Sequence, residues 1–227
     1  MENQPEVTVK NNVSKPSIFG MFTSPNLQFE RIRERPAVLV PLLIVILVSF
    51  IGSYFVANSM DFVGPAVEQG MGVEEAEALA GISKVTTIIF GGIAIPIVLL
   101  ISALIYFAIV KIAGTEATFK QLFSFVTFVS IITVTGALLN GIVAYFTGTN
   151  PETYVTSLNS FVGAEGGLGG ALNTIEVFGI WGTILTGMGL HKVAGLSKGA
   201  AWTVAIIFFV FGLVMGAVAG IIGGMAV

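Results

Sequence analysis

The chain has 227 residues, of which 55% are hydrophobic and only 10% are charged. Soluble domains carry about 25% charged residues, so this composition excludes a water-soluble globular protein. The sequence contains no cysteine, which excludes disulfides, thiolate metal sites and cysteine nucleophiles. One histidine and one aspartate exclude an HExxH zinc site and a catalytic aspartate pair. We therefore expect no catalytic, cofactor or metal site, and the net charge of −3 argues against a nucleic-acid partner.

Four stretches of the chain contain no charged residue. They are residues 36–60, 85–110, 121–151 and 199–227. Each is longer than the roughly 20 residues that an α-helix needs to cross a bilayer. The pattern predicts an all-α, polytopic integral membrane protein of the cell membrane, with the lipid bilayer as its first partner.

The N-terminal region divides into two parts. Residues 1–16 are polar and aperiodic, which predicts a mobile cytoplasmic tail. In residues 17–35, Ser24 and Pro25 mark a helix start. Helical spacing separates its side chains into two sets: Phe29 and Ile32 on one face, and Gln28, Arg31 and Arg35 on another. We expect an interfacial amphipathic helix with its arginines toward lipid headgroups; an ordinary polar cap before the first span is the alternative.

Residues 36–227 are predicted to form a domain of five transmembrane helices. Four spans follow the charge-free stretches, and another begins at Thr174, where Asn173 and Glu176 have the spacing of a capping box. The predicted spans are residues 37–57, 85–110, 121–146, 174–193 and 199–227. In the second span, Gly91, Gly92 and Pro96 predict a kink or hinge in the membrane.

The basic residues give the predicted topology. If the five spans are right, nine of the ten basic residues fall on one side and only Lys84 falls on the other. Lysine and arginine are enriched in cytoplasmic loops. The distribution therefore places the N-terminus in the cytoplasm and, because the number of spans is odd, the C-terminus outside.

Small residues form a stripe along the last span. Gly212, Gly216, Gly220 and Gly224 recur every four residues, a spacing that lets another helix backbone approach closely. The stripe is expected to pack inside the protein's own bundle, with a contact between subunits of a homo-oligomer as the alternative.

The third span carries polar residues on one face. Ser130, Thr133 and Asn140 are spaced so that their side chains share that face. In lipid such groups need hydrogen-bond partners, most cheaply on another helix. We interpret them as packing contacts, while the alternative for Asn140 is a place on a substrate path.

Two ionisable residues lie at the ends of the predicted fourth span. Glu176 is interpreted as part of the helix cap, with a proton or cation site as the alternative. His191 is expected at headgroup level and has no partner for catalysis in the sequence. The glycine-rich stretch 163–170 lacks the lysine of a phosphate-binding loop and is expected to be a flexible connector.

Three segments together resemble a known family. They read FGMFTSPNLQFERIRERP at 19–36, KIAGTEATFKQLFSFVTF at 111–128 and LTGMGLHKVAGLSKGAAW at 185–202. The chain resembles the bacterial branch of the Yip (Ypt-interacting protein) domain family. The resemblance implies five membrane helices, a cytoplasmic N-terminus, and neither catalytic residues nor a cofactor. Within the family, the chain is most similar to a bacterial type that accompanies a multi-subunit ABC exporter involved in defence against toxic peptides.

Three functional hypotheses follow. The first is a non-enzymatic membrane protein that binds another membrane complex, an ABC exporter by resemblance, and assists its assembly or regulation. The second is a small solute transporter or channel subunit, which the proline in the second span and the polar face of the third favour. The third, an intramembrane hydrolase, is disfavoured because His191 is the only candidate base.

Overall fold

The fold is that of a helical membrane protein. The computed structural model describes residues 13–225, and side-chain surroundings for residues 13–223. Most of the predicted tail, residues 1–12, lies outside that part of the chain. Between residues 13 and 225, the only contact of β type is a single antiparallel bridge between Ser157 and Glu176.

Ten helices make up the described chain. They are α1 (Ile18–Thr23), α2 (Pro25–Glu34), α3 (Leu39–Ser59), α4 (Gly64–Glu68), α5 (Val73–Ile112), α6 (Phe119–Thr147), α7 (Asn159–Val162), α8 (Gly166–Thr174), α9 (Val177–Lys192) and α10 (Lys198–Met225). Four of them, α3, α5, α6 and α10, are long and apolar enough to cross a membrane. The described residues therefore form a polytopic membrane protein with four candidate spans.

The predicted fourth span is wrong in its bounds. Instead of one helix from Thr174 to residue 193, the chain forms α8, a break at Ile175 and Glu176, and then α9. With 16 residues, α9 is about 24 Å long, which is shorter than the roughly 30 Å hydrocarbon core. The predicted capping box is also wrong, because Glu176 is itself the N-cap of α9.

The central helix of the bundle is α6. It packs against α3, α5 and α9, and α10 packs mainly against α8 and α9. Glycines set the closest approaches: Gly141 of α6 lies against Gly52 of α3, and Gly189 of α9 lies against the ring of Phe125 in α6. The main core runs along α6 because its neighbours cover it on several faces.

Two short helices, α1 and α2, cover one end of the bundle. Phe29 and Ile32 are fully buried, and the rings of Phe29 and Phe125 meet edge to face with centroids 5.9 Å apart. The apolar face of α2 therefore packs on the protein, whereas a helix lying freely on the membrane surface would turn that face to lipid. Gln28 is buried as well, not turned outward with the arginines, and its Oε1 accepts a hydrogen bond from the backbone N–H of Ser17 at 2.8 Å.

The ends of α6 are fixed by local chemistry. Thr118 and Gln121 form a capping box at its start, each side chain bonding the backbone N–H of the other. Gly148 ends the helix with a φ of 68°, in the left-handed region that glycine adopts without a steric penalty. These two signals place α6 two residues earlier than the predicted start at residue 121.

Candidate functional site

The glycine stripe of α10 lies against α8 of the same chain. A Cβ atom at Gly216 would overlap the Thr174 side chain and come within 2.7 Å of the Gly170 carbonyl oxygen, and one at Gly220 would overlap the Gly166 carbonyl. Gly212 is looser, 3.7 Å from Thr174 by the same measure. Gly224 belongs to α10, but its surroundings lie outside the described side chains.

The contact explains why a glycine-rich segment becomes a helix. Glycine has low helix propensity, which favours the flexible connector expected for residues 163–170. Instead α8 begins at Gly166, because glycines on both helices let the two backbones touch. The connector interpretation is therefore wrong from Gly166 onward.

Together, α8 and α9 run antiparallel beside α10 along most of its length. Gly187 of α9 lies against Trp202, Gly170 against Gly216 and Gly166 against Gly220. In each pair the two residue numbers have nearly the same sum. This is expected if α8 and α9 follow the line of one continuous helix antiparallel to α10. The two helices thus form a discontinuous rod with its break at Ile175 and Glu176.

The break is stabilised by polar contacts inside the protein. Glu176 is 8% exposed. Its Oε2 accepts hydrogen bonds from the Phe178 backbone N–H at 2.8 Å and from Thr156 Oγ1 at 3.0 Å. The carbonyl of Ile175 accepts one from the Leu158 N–H at 2.8 Å. Irregular backbone is tolerated inside a protein where its polar groups are paired in this way.

Two asparagines hold the segment between α6 and α7 against this break. Asn140 donates to the Pro151 carbonyl at 3.0 Å and accepts from the Val155 N–H at 2.8 Å. Asn173 accepts from the Tyr154 N–H at 2.8 Å. Asn140 is 3% exposed. Its amide nitrogen and its amide oxygen both hydrogen-bond to the segment between α6 and α7.

The other polar residues on that face of α6 behave differently. Ser130 Oγ donates to the Thr127 carbonyl at 2.8 Å, and Thr133 Oγ1 donates to the Ser130 carbonyl at 3.1 Å. Both hydroxyls are therefore satisfied within α6, and the expectation that they bond to another helix is wrong. Serine and threonine can do this because their short side chains reach a carbonyl one turn back.

The predicted hinge residues lie in a contact between α5 and α3. A Cβ atom at Gly91 would overlap Ser53, and one at Gly92 would overlap the ring of Phe50. Pro96 lies inside α5, which continues through it as one helix to Ile112. The contact gives the two glycines a packing function, and a hinge at these three residues stays a prediction.

The same contact shows that α5 extends past its neighbours. Because α5 runs antiparallel to α3 and Gly91 lies beside Ser53, the end of α3 at Ser59 falls near residue 85 of α5. Residues 73–84 extend beyond it by about 18 Å. We call residues 73–84 the α5 arm.

The α5 arm has an exposed face that sequence reasoning missed. Leu79 and Ile82 are 43% and 64% exposed, and helical spacing places them on one face with the exposed Glu75. Ala76 and Ala80 are buried. The exposed face combines apolar side chains with the acidic first turn of α5.

The basic end of the bundle has its own polar contacts. Lys192 Nζ lies 2.9 Å from Glu30 Oε1, joining α9 to α2. His191 is exposed, and its Nδ1 lies 2.8 Å from the Leu196 carbonyl oxygen. Arg31 is half-buried and Arg35 is exposed; Arg35 donates to the Val13 carbonyl at 2.8 Å.

Comparison with known proteins identifies the family. The Yip1 domain model matches residues 19–219, nearly the whole described bundle. The chain belongs to the Yip1 domain family. It is also 41% identical to the membrane protein YknW of Bacillus subtilis over 234 aligned positions, which cover 100% of this chain and 99% of the relative. No solved structure is similar to it.

Membership of the Yip1 family agrees with the resemblance seen in the sequence. The family match begins at the start of α1 and ends within α10, so it includes the helices that cover the bundle end as well as the long spans. The family match therefore covers one continuous stretch of helices, from α1 into α10.

Proposed function

We propose that this Yip1-family protein is a non-enzymatic accessory protein of the cell membrane. It binds another membrane complex, an ABC exporter involved in toxic-peptide defence, and assists its assembly or regulation. The observation that carries the proposal is the α5 arm, which presents Leu79 and Ile82 beyond the end of α3. Exposed apolar side chains outside the lipid-facing surface are typical of protein interaction sites.

The charge of the α5 arm indicates the chemistry of its partner. Glu74 and Glu75 lie in the first turn of α5, and Glu77 follows within the same exposed region. A docking surface that pairs apolar contacts with three carboxylates is complementary to a basic, amphipathic segment of a membrane protein outside the bilayer. Lipid alone does not satisfy such a surface.

We also propose five membrane crossings, with the N-terminus in the cytoplasm and the C-terminus outside. The fourth crossing is the pair α8 and α9. At 1.5 Å per residue their 9 and 16 residues span about 37 Å, enough for the hydrocarbon core. The orientation follows from the basic residues, nine of which then face the cytoplasm.

The accessory function is tested by purification from native membranes. Tagged protein in mild detergent is expected to recover exporter subunits, identified by mass spectrometry. Replacing Leu79 and Ile82 with serine is expected to abolish recovery, while Phe161→Ser, an 85% exposed residue of α7, leaves it unchanged. Recovery of no membrane protein by the wild type, or equal recovery by the arm variant, contradicts the proposal.

One observation favours the alternative of a small solute transporter or channel subunit. Discontinuous helices often mark transport sites in membrane proteins, and the α8–α9 rod is discontinuous next to a buried carboxylate. Reconstitution into liposomes separates the two functions. Solute flux by the purified protein alone supports transport, whereas its absence together with recovery of exporter subunits supports the accessory function.

A further inference from the structure

An acidic cavity opens beside the break between α8 and α9. It has a volume of about 1050 Å³ and lies between residues 150–159, α8 and the last turns of α10. Three carboxylates line it, from Glu152, Glu165 and Glu176, and no lysine, arginine or histidine of the described chain does so. The rest of the lining consists of glycine, alanine, threonine, asparagine and one tyrosine. The charged side chains that line the cavity are therefore all negative.

Glu176 forms the buried end of this cavity. It is 8% exposed, and both of its hydrogen bonds go to Oε2, so Oε1 accepts none from the described residues. No buried side-chain oxygen in the described chain lacks a partner, which means that Oε1 has access to solvent. Since Glu176 lines the cavity, the cavity provides that access.

The negative charge of Glu176 is only partly compensated by the protein. Among the described residues the only salt bridge is that between Lys192 and Glu30, at the other end of α9. The N-terminus of α9 contributes about half a positive charge. Burial of a carboxylate without a counter-charge is costly, so a cation bound beside Glu176 would stabilise the carboxylate.

The pKa of the neighbouring residue Tyr154 is affected by the negative charge of Glu176. Burial raises the pKa of Tyr154, and the negative charge of Glu176 raises it further. Tyr154 lines the cavity with Glu176. Its neutral hydroxyl can donate or accept a hydrogen bond to a ligand.

The volume of the cavity and the positions of its three carboxylates indicate which class of cation fits it. The volume is slightly above the 300–1,000 Å³ typical of small-molecule pockets and far larger than one metal ion needs. The described chain contains no group of three His, Cys, Asp or Glu residues that could hold a metal. Glu152 and Glu165 are exposed at the rim, whereas Glu176 is buried. Separated carboxylates suit separated positive charges.

We propose that this cavity binds an organic cation with two or more ammonium groups. One ammonium group donates to Oε1 of Glu176 at the buried end, and another pairs with Glu152 or Glu165 at the rim. The close-packed glycines of α8 and α10 keep the floor free of side chains that would fill it. The site is independent of the docking function proposed for the α5 arm.

The test uses spermidine as the probe and the full chain in nanodiscs. Calorimetry is expected to show saturable binding by the wild type. Glu176→Gln is expected to weaken it at least about tenfold, because a hydrogen bond to a charged group contributes about 1.5–3 kcal/mol. The rim variant E152Q/E165Q is expected to weaken binding as well, and it leaves the fold intact because neither side chain makes a hydrogen bond in the described structure.

A matched control distinguishes the cavity from a general effect of surface charge. Glu74→Gln combined with Glu75→Gln removes the same two charges from the exposed first turn of α5 and is expected to bind spermidine as the wild type does. The proposal is overturned if the wild type shows no saturable binding, or if both cavity variants retain it. Equal weakening by the control, or tighter binding of Ca²⁺ than of spermidine, also overturns it.

Discussion

The α6 and α10 helices look alike in the sequence, but the fold uses them in opposite ways. Each is apolar, long enough to cross a bilayer and free of charge in its central part. Yet 67% of the most apolar part of α6 is buried within the chain, against 6% for α10. The core is organised around α6, whereas α10 lies at the edge, where it contacts α8, α9 and, through Phe208, Tyr106 of α5.

The comparison teaches that hydrophobicity locates a membrane helix but does not give its neighbours. In lipid, an apolar side chain gains little by moving from acyl chains to protein, so association depends on close packing. On α6 aromatic rings and glycines of other helices provide that packing, while on α10 the closest approaches are those of Gly216 and Gly220 to the backbone of α8. The following substitutions test this difference, from the largest expected effect to the smallest.

Removal of a central aromatic ring is expected to have the largest effect. Phe125 is fully buried and contacts Phe29, Tyr106 and Gly189. Phe125→Ala is expected to lower the free energy of unfolding by about 3–5 kcal/mol, measured by SDS titration in mixed micelles. Phe211→Ala on α10, where the ring is 61% exposed, is expected to cost less than about 0.5 kcal/mol. Equal costs contradict the distinction between centre and edge.

A larger side chain in the glycine stripe is expected to separate α8 from α10. Gly216→Leu places its side chain against Thr174 and Gly170 and is expected to cost about 1–3 kcal/mol; Gly220→Leu acts against Gly166 in the same way. Amide hydrogen exchange is expected to increase in α8. Gly223→Leu is the control, since no atom lies within 4 Å of a Cβ there. If Gly223→Leu increases exchange in α8 as much as Gly216→Leu does, the result argues against a specific contact between α8 and α10.

Loss of the Asn140 side chain is expected to loosen the segment between α6 and α7. Its two hydrogen bonds, to Pro151 and Val155, together contribute about 1 kcal/mol by the usual value for polar contacts in membrane proteins. Asn140→Ala is expected to speed hydrogen exchange at Val155. Thr147→Ala, at an exposed residue that bonds only within its own region of the chain, should leave that exchange unchanged; similar exchange in both variants contradicts this function of Asn140.

The surface ion pair is expected to have the smallest effect. The side chains of Lys192 and Glu30 are 32% and 59% exposed, and such pairs contribute between 0 and about 1 kcal/mol. Glu30→Gln is expected to lower the free energy of unfolding by less than about 0.5 kcal/mol at low salt and by nothing measurable at 1 M salt. A loss that persists at high salt indicates another contact of Glu30.

The sequence predicted the long helices well for a simple physical reason. Lipid excludes charge, so the charge-free stretches coincide with α3, α6, α10 and the membrane part of α5. The Yip resemblance was confirmed over residues 19–219. The start of α6 was predicted two residues too late, at residue 121, although Thr118 and Gln121 have the spacing of a capping box that marks the true start.

The remaining features depend on tertiary contacts that a linear pattern does not contain. Gly166 becomes part of a helix only because Gly220 lies beside it. Gln28 is buried because the end of α1 provides a partner at Ser17. The cavity joins Glu152, Glu165 and Glu176 across several elements, and its only trace in the sequence is a segment, 147–173, that has acidic residues but no basic ones.

The most direct test of the account is the side of the membrane on which each end of the α8–α9 rod lies, because both proposed sites depend on that orientation. The sequence contains no cysteine, so single-cysteine variants report position without background. Val162→Cys and Ser197→Cys, both at exposed residues before and after the rod, are treated with a membrane-impermeant maleimide in intact cells. The account predicts that Val162→Cys is labelled at once and Ser197→Cys only after permeabilisation, whereas labelling of both from the same side would contradict it.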